Sequence, residues 1–262
     1  MKNLSGIVRC ALPAMCLGLA GCASFSSDAA PEIRAAYVEK GPVLDGLLND
    51  DVWKKAPVYE TGLSRQTLSK SRPEIRNFYR NGITDKGYFR LLRDDRFLYI
   101  GVEFYDKDLE AEGLSDQLKH ETMGDAAVIC LKPDNDPGFW TICVTPRNYR
   151  SVSLFPGRGL QGLPSVLPEN IPLKNLRTAA RFDGTLNSAF DQDVKWTAEI
   201  AIPLDELQVM GIRLTPESRW KILLARRNYS RYLPQIESST VPQLDRNDFS
   251  SYEEYGRLIL DK

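Results

Sequence analysis

Five side chains, Trp140, Tyr149, Arg226, Asn228 and Tyr229, combine flat apolar faces with planar hydrogen-bonding groups. Rings of this kind cover the C–H face of a polyhydroxylated molecule, while guanidinium and amide groups satisfy its hydroxyls. They act together only if the segment carrying Trp140 and Tyr149 ends at the same rim as the run Arg226-Arg227-Asn228-Tyr229. Arg226 and Arg227 point to opposite faces of a strand, so one faces a site and the other is free to pair with Glu199. Trp140 also suits the packing of a hairpin. Four more residues, Asp94, Asp95, Asp106 and Asp108, offer the hard oxygens that calcium takes, although they also read as solvated turn residues. Catalytic patterns are absent. His120 is the single histidine, no serine sits in a G-x-S-x-G elbow, and 35 acidic residues are too many to single out a glycosidase pair.

Cys130 and Cys143 flank the turn Asn135-Asp136-Pro137-Gly138. A hairpin centred on that turn sets the two cysteines opposite each other on one face. They then form a cross-strand disulfide or remain two buried thiols. Direct cross-strand bridges fit disulfide geometry poorly, and neither arrangement is a metal site.

The elements that position these residues are mostly strands. Leu98, Ile100, Val102 and Phe104 alternate with Tyr99, Gly101, Glu103 and Tyr105, and Val194–Ile202 and Trp220–Leu224 show the same period of two. Tyr88–Arg93, Ala126–Leu131, Phe139–Thr145, Tyr149–Phe155 and Gly256–Leu260 add further strands. Residues 49–56 predict a short helix, capped by Asn49, stapled by Leu48 on Trp53 and stopped by Pro57. A second helical turn is expected at Leu204–Leu207. Gly62–Gly82 reads as irregular and polar, and Pro156–Pro172, with four prolines and three glycines, as a long loop. Together these segments predict an all-β fold, an antiparallel β-sandwich of jelly-roll or immunoglobulin-like kind with short helical turns.

The N-terminus carries a different signal. Lys2 and Arg9 precede an uncharged run, Cys10–Leu19, of about ten residues where a spanning helix needs roughly 20. The run ends in Leu19-Ala20-Gly21-Cys22, which resembles the bacterial lipobox. That resemblance implies cleavage before Cys22 and acylation of its thiol and new amino group by chains such as palmitate. Residues 1–21 are then a lipoprotein signal peptide, 22–34 a tether and 35–262 a single domain. Ala23 after the cysteine is similar to the outer-membrane sorting pattern. Lys2 and Arg9 leave with the signal, so 34 basic groups become 32 against 35 acidic ones, a net charge of −3. No basic run appears, which argues against nucleic-acid binding.

Taken in order, Leu44-Asp45-Gly46 with Trp53, Arg93–Ile100 leading to Asp106, Asp125, Trp196–Leu204, Arg226-Arg227-Asn228 and Tyr255–Leu258 resemble the family 9 carbohydrate-binding modules and their DOMON-type relatives. The likeness runs over roughly residues 35–262. It implies a non-catalytic glycan-binding sandwich, with structural calcium in some members and b-type haem in some relatives. Val128 stands where such modules carry an acidic residue. Of the four tryptophans only Trp140 is a candidate platform, since Trp53, Trp196 and Trp220 fall on core-facing patterns. His120 and Met123 lie too close together to ligate haem from opposite faces. The expected function is a glycan-binding envelope lipoprotein assisting polysaccharide use. The alternative is a docking subunit of an envelope complex with no small ligand.

Overall fold

The computed structural model describes residues 30–157 and 173–262. Cys22, the signal region, most of the tether and most of the Pro156–Pro172 loop lie outside the described residues. Fifteen strands are formed among the described residues: β1 (Glu32–Tyr37), β2 (Val58–Glu60), β3 (Gly62–Leu63), β4 (Gly87–Arg93), β5 (Phe97–Tyr105), β6 (Ala126–Pro133), β7 (Phe139–Val144), β8 (Arg150–Phe155), β9 (Arg177–Asp183), β10 (Lys195–Pro203), β11 (Gln208–Val209), β12 (Ile212–Arg213), β13 (Trp220–Asn228), β14 (Glu237–Val241) and β15 (Gly256–Leu260).

The fold is all-β. Two antiparallel groups, β8-β7-β6-β13-β15 and β4-β5-β10-β9, are joined by β1 into one mixed sheet of 13 strands. β1 runs parallel to both neighbours, pairing with β15 through Glu32–Ala35 and with β4 through Ala36–Tyr37. It begins at Glu32, within the stretch expected as a tether. The alternation seen in sequence explains the packing. Leu98, Ile100, Val102 and Phe104 of β5 face Trp196, Ala198, Ile200 and Ile202 of β10 in register, and all eight are fully buried. They share one core with Ile129, Leu131, Trp220, Ile222 and Leu224 of the other group. Burying each of the larger of these side chains contributes about 2 kcal/mol relative to exposure.

Several expectations are corrected. The β6–β7 hairpin pairs Cys130 with Thr141 and Val128 with Cys143, two residues away from the expected register. Its turn is a longer loop, in which Asp136 Oδ1 accepts from Gly138 N at 2.8 Å. The cysteines therefore sit diagonally on one face, buried and free, packed against Leu223, Ala225 and Tyr255. Burial pushes the Cys130 thiol up to about 11 and Cys143 higher still. The helix at 49–56 is only a 3-10 turn, Asp51–Lys55. Asp50 takes the cap position, and its carboxylate accepts from Val43 N rather than from the helix. Leu204–Leu207 forms a non-helical turn. Gly62–Gly82, read as irregular, instead holds α1 (Arg65–Lys70) and α2 (Pro73–Phe78). Ser64 caps α1 by accepting from Thr67 N, Pro73 opens α2, and Ile75 and Tyr79 anchor the pair on Leu63.

Candidate functional site

At one end of the sheet β5 runs out into Asp106, β13 into Asn228 and Tyr229, and β6 begins after Asp125. Arg226 shares the inward face of β13 with Trp220, Ile222 and Leu224 and is fully buried. Its Nη1 donates to Asp85 O at 2.6 Å. Its Nη2 donates to Tyr105 O at 2.7 Å and to Asp106 Oδ2 at 2.9 Å. The guanidinium lies over the Phe104 ring, 5.0 Å from its centroid. Asp125, Asp85 and Glu237 are also buried at this end, so four carboxyls share one buried cation. Burial raises Asp106 to about 6 against the pull of Arg226, and raises Asp125 and Glu237 as well.

This buried acidic box organises the loops above it. Asp125 accepts from Tyr229 N and Glu110 N at 2.8 Å each. Asp108 accepts from the backbone of Arg231 and pairs with its guanidinium at 3.0 Å. Asp193 accepts from Leu109 N and Thr185 N. The segments 106–125, 184–194 and 229–236 are thereby tied to one another. Arg147 Nε joins the 145–149 turn to them by donating to Ala111 O at 2.8 Å.

The sequence-predicted residues divide accordingly. Arg226 and Asn228 are fully buried, and the Asn228 amide has no hydrogen-bond partner among the described residues, so neither reaches a ligand at the surface. Glu199 pairs with no arginine among the described residues and accepts instead from Trp53, Asp45 and Gly46. Trp140 lies at the opposite end, in register with Leu131 and Leu154, buried and donating to Gln208 O at 2.9 Å. It is core, not a platform. Tyr149 and Tyr229 are both half-buried, and both contact the 120–122 turn. Tyr149 stacks on the buried His120 with centroids 6.3 Å apart, and Tyr229 Oη donates to Glu121 O. Burial holds the His120 pKa below its ordinary value. The four aspartates do not converge. Asp94 caps the β4–β5 turn by accepting from Arg96 N and Phe97 N, and Asp95 is exposed beside Arg93. The nine residues of β5 separate them from Asp106 and Asp108, which are bound to arginines. Among the described residues no group of three or more histidine, cysteine or acidic side chains is placed to hold a metal ion.

Sequence reasoning missed the residues this rim presents. Arg231 Nη1 donates to Ser188 O at 2.9 Å and Nη2 to Asp191 O, on either side of Phe190. The same guanidinium covers the Tyr232 ring at 5.0 Å. Phe190 is 100% exposed and Tyr232 41%. Arg231 thus ties together two segments that carry exposed rings, Phe190 and Tyr232. The available signal was the lone aromatic in Asn187-Ser188-Ala189-Phe190-Asp191-Gln192, a run with no reason of its own to expose a ring.

No family model matches the sequence, and no curated protein is similar to it. Solved structures are. A Bacteroides uniformis protein to which carbohydrate binding has been ascribed aligns over 88% of this chain and 99% of its own, at 11% identity and a TM-score of 0.63. A family 9 carbohydrate-binding module from Caldicellulosiruptor kristjanssonii, in complex with cellotriose, aligns over 88% and 93% at 14% identity and 0.51. A family 9 module of the same organism in complex with glucose gives 87%, 95%, 14% and 0.52. The chain has a fold like that of the family 9 carbohydrate-binding modules, and at these identities the likeness speaks for the fold alone.

Proposed function

We propose that this chain is a non-catalytic glycan-binding lipoprotein of the cell envelope, holding sugar rings against Phe190 and Tyr232 around Arg231. The observation that carries the reading is that exposed aromatic–arginine group, on a fold shared with modules solved with cellotriose and glucose. The two antiparallel groups act as the layers of a sandwich, and the loops at one end supply the contacts. Isothermal titration with cello-oligosaccharides and a wider glycan panel tests the reading. Phe190→Ala and Tyr232→Ala should each weaken binding about tenfold, since aromatic contacts of this kind contribute about 1 kcal/mol or more. Both rings are exposed, so the melting temperature should stay as in the wild type. A chain that responds to no glycan would leave the docking-subunit reading standing instead.

The envelope part of the proposal rests on the lipobox-like Leu19-Ala20-Gly21-Cys22 and the short apolar run before it. The lipid on Cys22 would anchor the domain, and Ala23 favours the outer membrane. Cells expressing the full chain and fed labelled palmitate should incorporate label, and Cys22→Ala should abolish it. Label retained in that variant would overturn the anchor.

A further inference from the structure

Between Ser64 and Gly82 the chain carries five basic residues, Arg65, Lys70, Arg72, Arg76 and Arg80, against one acid, Glu74, in a protein whose overall net charge is −1. They are dispersed in sequence and no run betrays them, but α1 and α2 gather them. The pair turns Thr67, Ile75 and Tyr79 inward, so all five cations are exposed. Two adjoining hollows, of about 350 and 430 Å³, lie between α1 and the segments at 235 and 245–247, and both are lined by Gln66 and Lys70. Arg65 is neutralised by an ion pair with Asp245. Lys70, Arg72 and Arg246, also at these hollows, have no carboxylate partner among the described residues.

We infer that this groove is a second binding site, for a carboxylated glycan such as a uronic-acid chain; the inference rests on the glycan-binding reading above. Three unpaired cations in a concave setting ask for a ligand with repeated negative charge. Arginine matches carboxylate oxygens with its planar fork. The amides of Gln66, Gln235 and Asn247 line the same hollows as the cations, and neutral donors and acceptors suit hydroxyls. A uronate chain supplies both on every ring. Charged and amide side chains line the recess together with Ile75, and its concave form favours a chain lying in it over a flat lipid surface.

The intact chain is titrated with oligogalacturonate, with cellotriose as the neutral control and with phosphatidylglycerol vesicles as the lipid control. Oligogalacturonate should bind, more weakly as salt is raised. The double variant Lys70→Glu, Arg72→Glu should weaken it at least about tenfold, because charge-assisted bonds are exchanged for repulsion. Arg72→Lys should keep only part of the affinity, since an ammonium lacks the guanidinium fork, and melting curves should be unchanged because the side chains are exposed. Cellotriose binding without oligogalacturonate binding, or oligogalacturonate binding unmoved by the double variant, overturns this inference and leaves the glycan reading intact. Failure of every glycan overturns both. Vesicle binding lost in the double variant, with oligogalacturonate inert, assigns the groove to lipid headgroups and also overturns the inference.

Discussion

Replacing Arg226 with Met should cost about 3–5 kcal/mol at neutral pH, because it breaks a buried ion pair and leaves its partner uncompensated. For a domain of this size that is a fall in melting temperature of about 10 °C. Met fills much of the volume over Phe104, so the loss is electrostatic more than steric. The pH dependence separates the two. Asp106 has a folded pKa of about 6 against an ordinary 3.8, raised by burial and held from rising further by Arg226. A raised folded pKa means the protonated carboxyl favours folding. That stabilisation is complete below about pH 4 and is lost as pH rises through about 6. Without Arg226 the carboxyls of Asp106, Asp125 and Glu237 titrate still higher, so the variant loses more on the way to pH 7. Denaturant melts at pH 5 and pH 7 should show the gap between variant and wild type narrowing in acid. An equal gap at both pH values would mean that packing, not charge, is what Arg226 supplies.

That box was partly legible. Trp220, Ile222 and Leu224 define an inward face by period two, and the same period places Arg226 on it. The polar run Arg226-Arg227-Asn228-Tyr229 suggests instead a strand end exposed at a rim. What sequence does not display is the partner, since Asp106 lies 120 residues away along the chain. Strands β5, β10, β13 and β15 were legible because their core-facing positions repeat apolar side chains at every second residue, although the outer faces of β5, β10 and β13 are largely buried too. β1 and β14 were not. β1 switches partner midway and pairs in parallel, and Glu237–Val241 is polar in four of five residues although every one is buried. The hairpin register failed for a local reason. Asn135-Asp136-Pro137-Gly138 suggests a tight turn, but Asp136 draws the Gly138 amide to its own side chain and lengthens the loop. Trp140 reads as a platform because tryptophan is the obvious sugar-stacking ring, yet all four tryptophans are buried, and the exposed rings include Tyr105, Phe182, Phe190 and Tyr232.

Glu199→Ala should be the other costly single change. The marks Leu44-Asp45-Gly46 and Trp53 belong to a strap over the outer face of β5 and β10, and Glu199 pins it. Its Oε1 accepts from Trp53 Nε1 at 2.7 Å, and its Oε2 accepts from Gly46 N at 2.7 Å and Asp45 N at 2.9 Å. Gly46 takes φ of 83°, a backbone that glycine adopts freely, which lets both amides turn toward one oxygen. Burial pushes the Glu199 carboxyl above its ordinary pKa, and these three donors oppose that rise. Removing the acceptor strands three donors, two of them buried, at a cost of about 3 kcal/mol in total. Glu199→Gln separates the donors. Its carbonyl can still serve Asp45 and Gly46, but its amide then meets the Trp53 indole N–H, donor against donor. Trp53→Phe should therefore be costly in the wild type and nearly neutral in the Glu199→Gln background, a coupling of about 1 kcal/mol or more in a double-mutant cycle. The strap also fills space that only Gly101 leaves open, since a Cβ there would lie 2.7 Å from Leu48 Cδ2. Freed of its pin, the strap should lose hydrogen-exchange protection at the Gly46 amide before the sheet unfolds. Additive single-mutant costs, or undiminished protection at Gly46 in Glu199→Ala, would show that apolar packing alone holds it down.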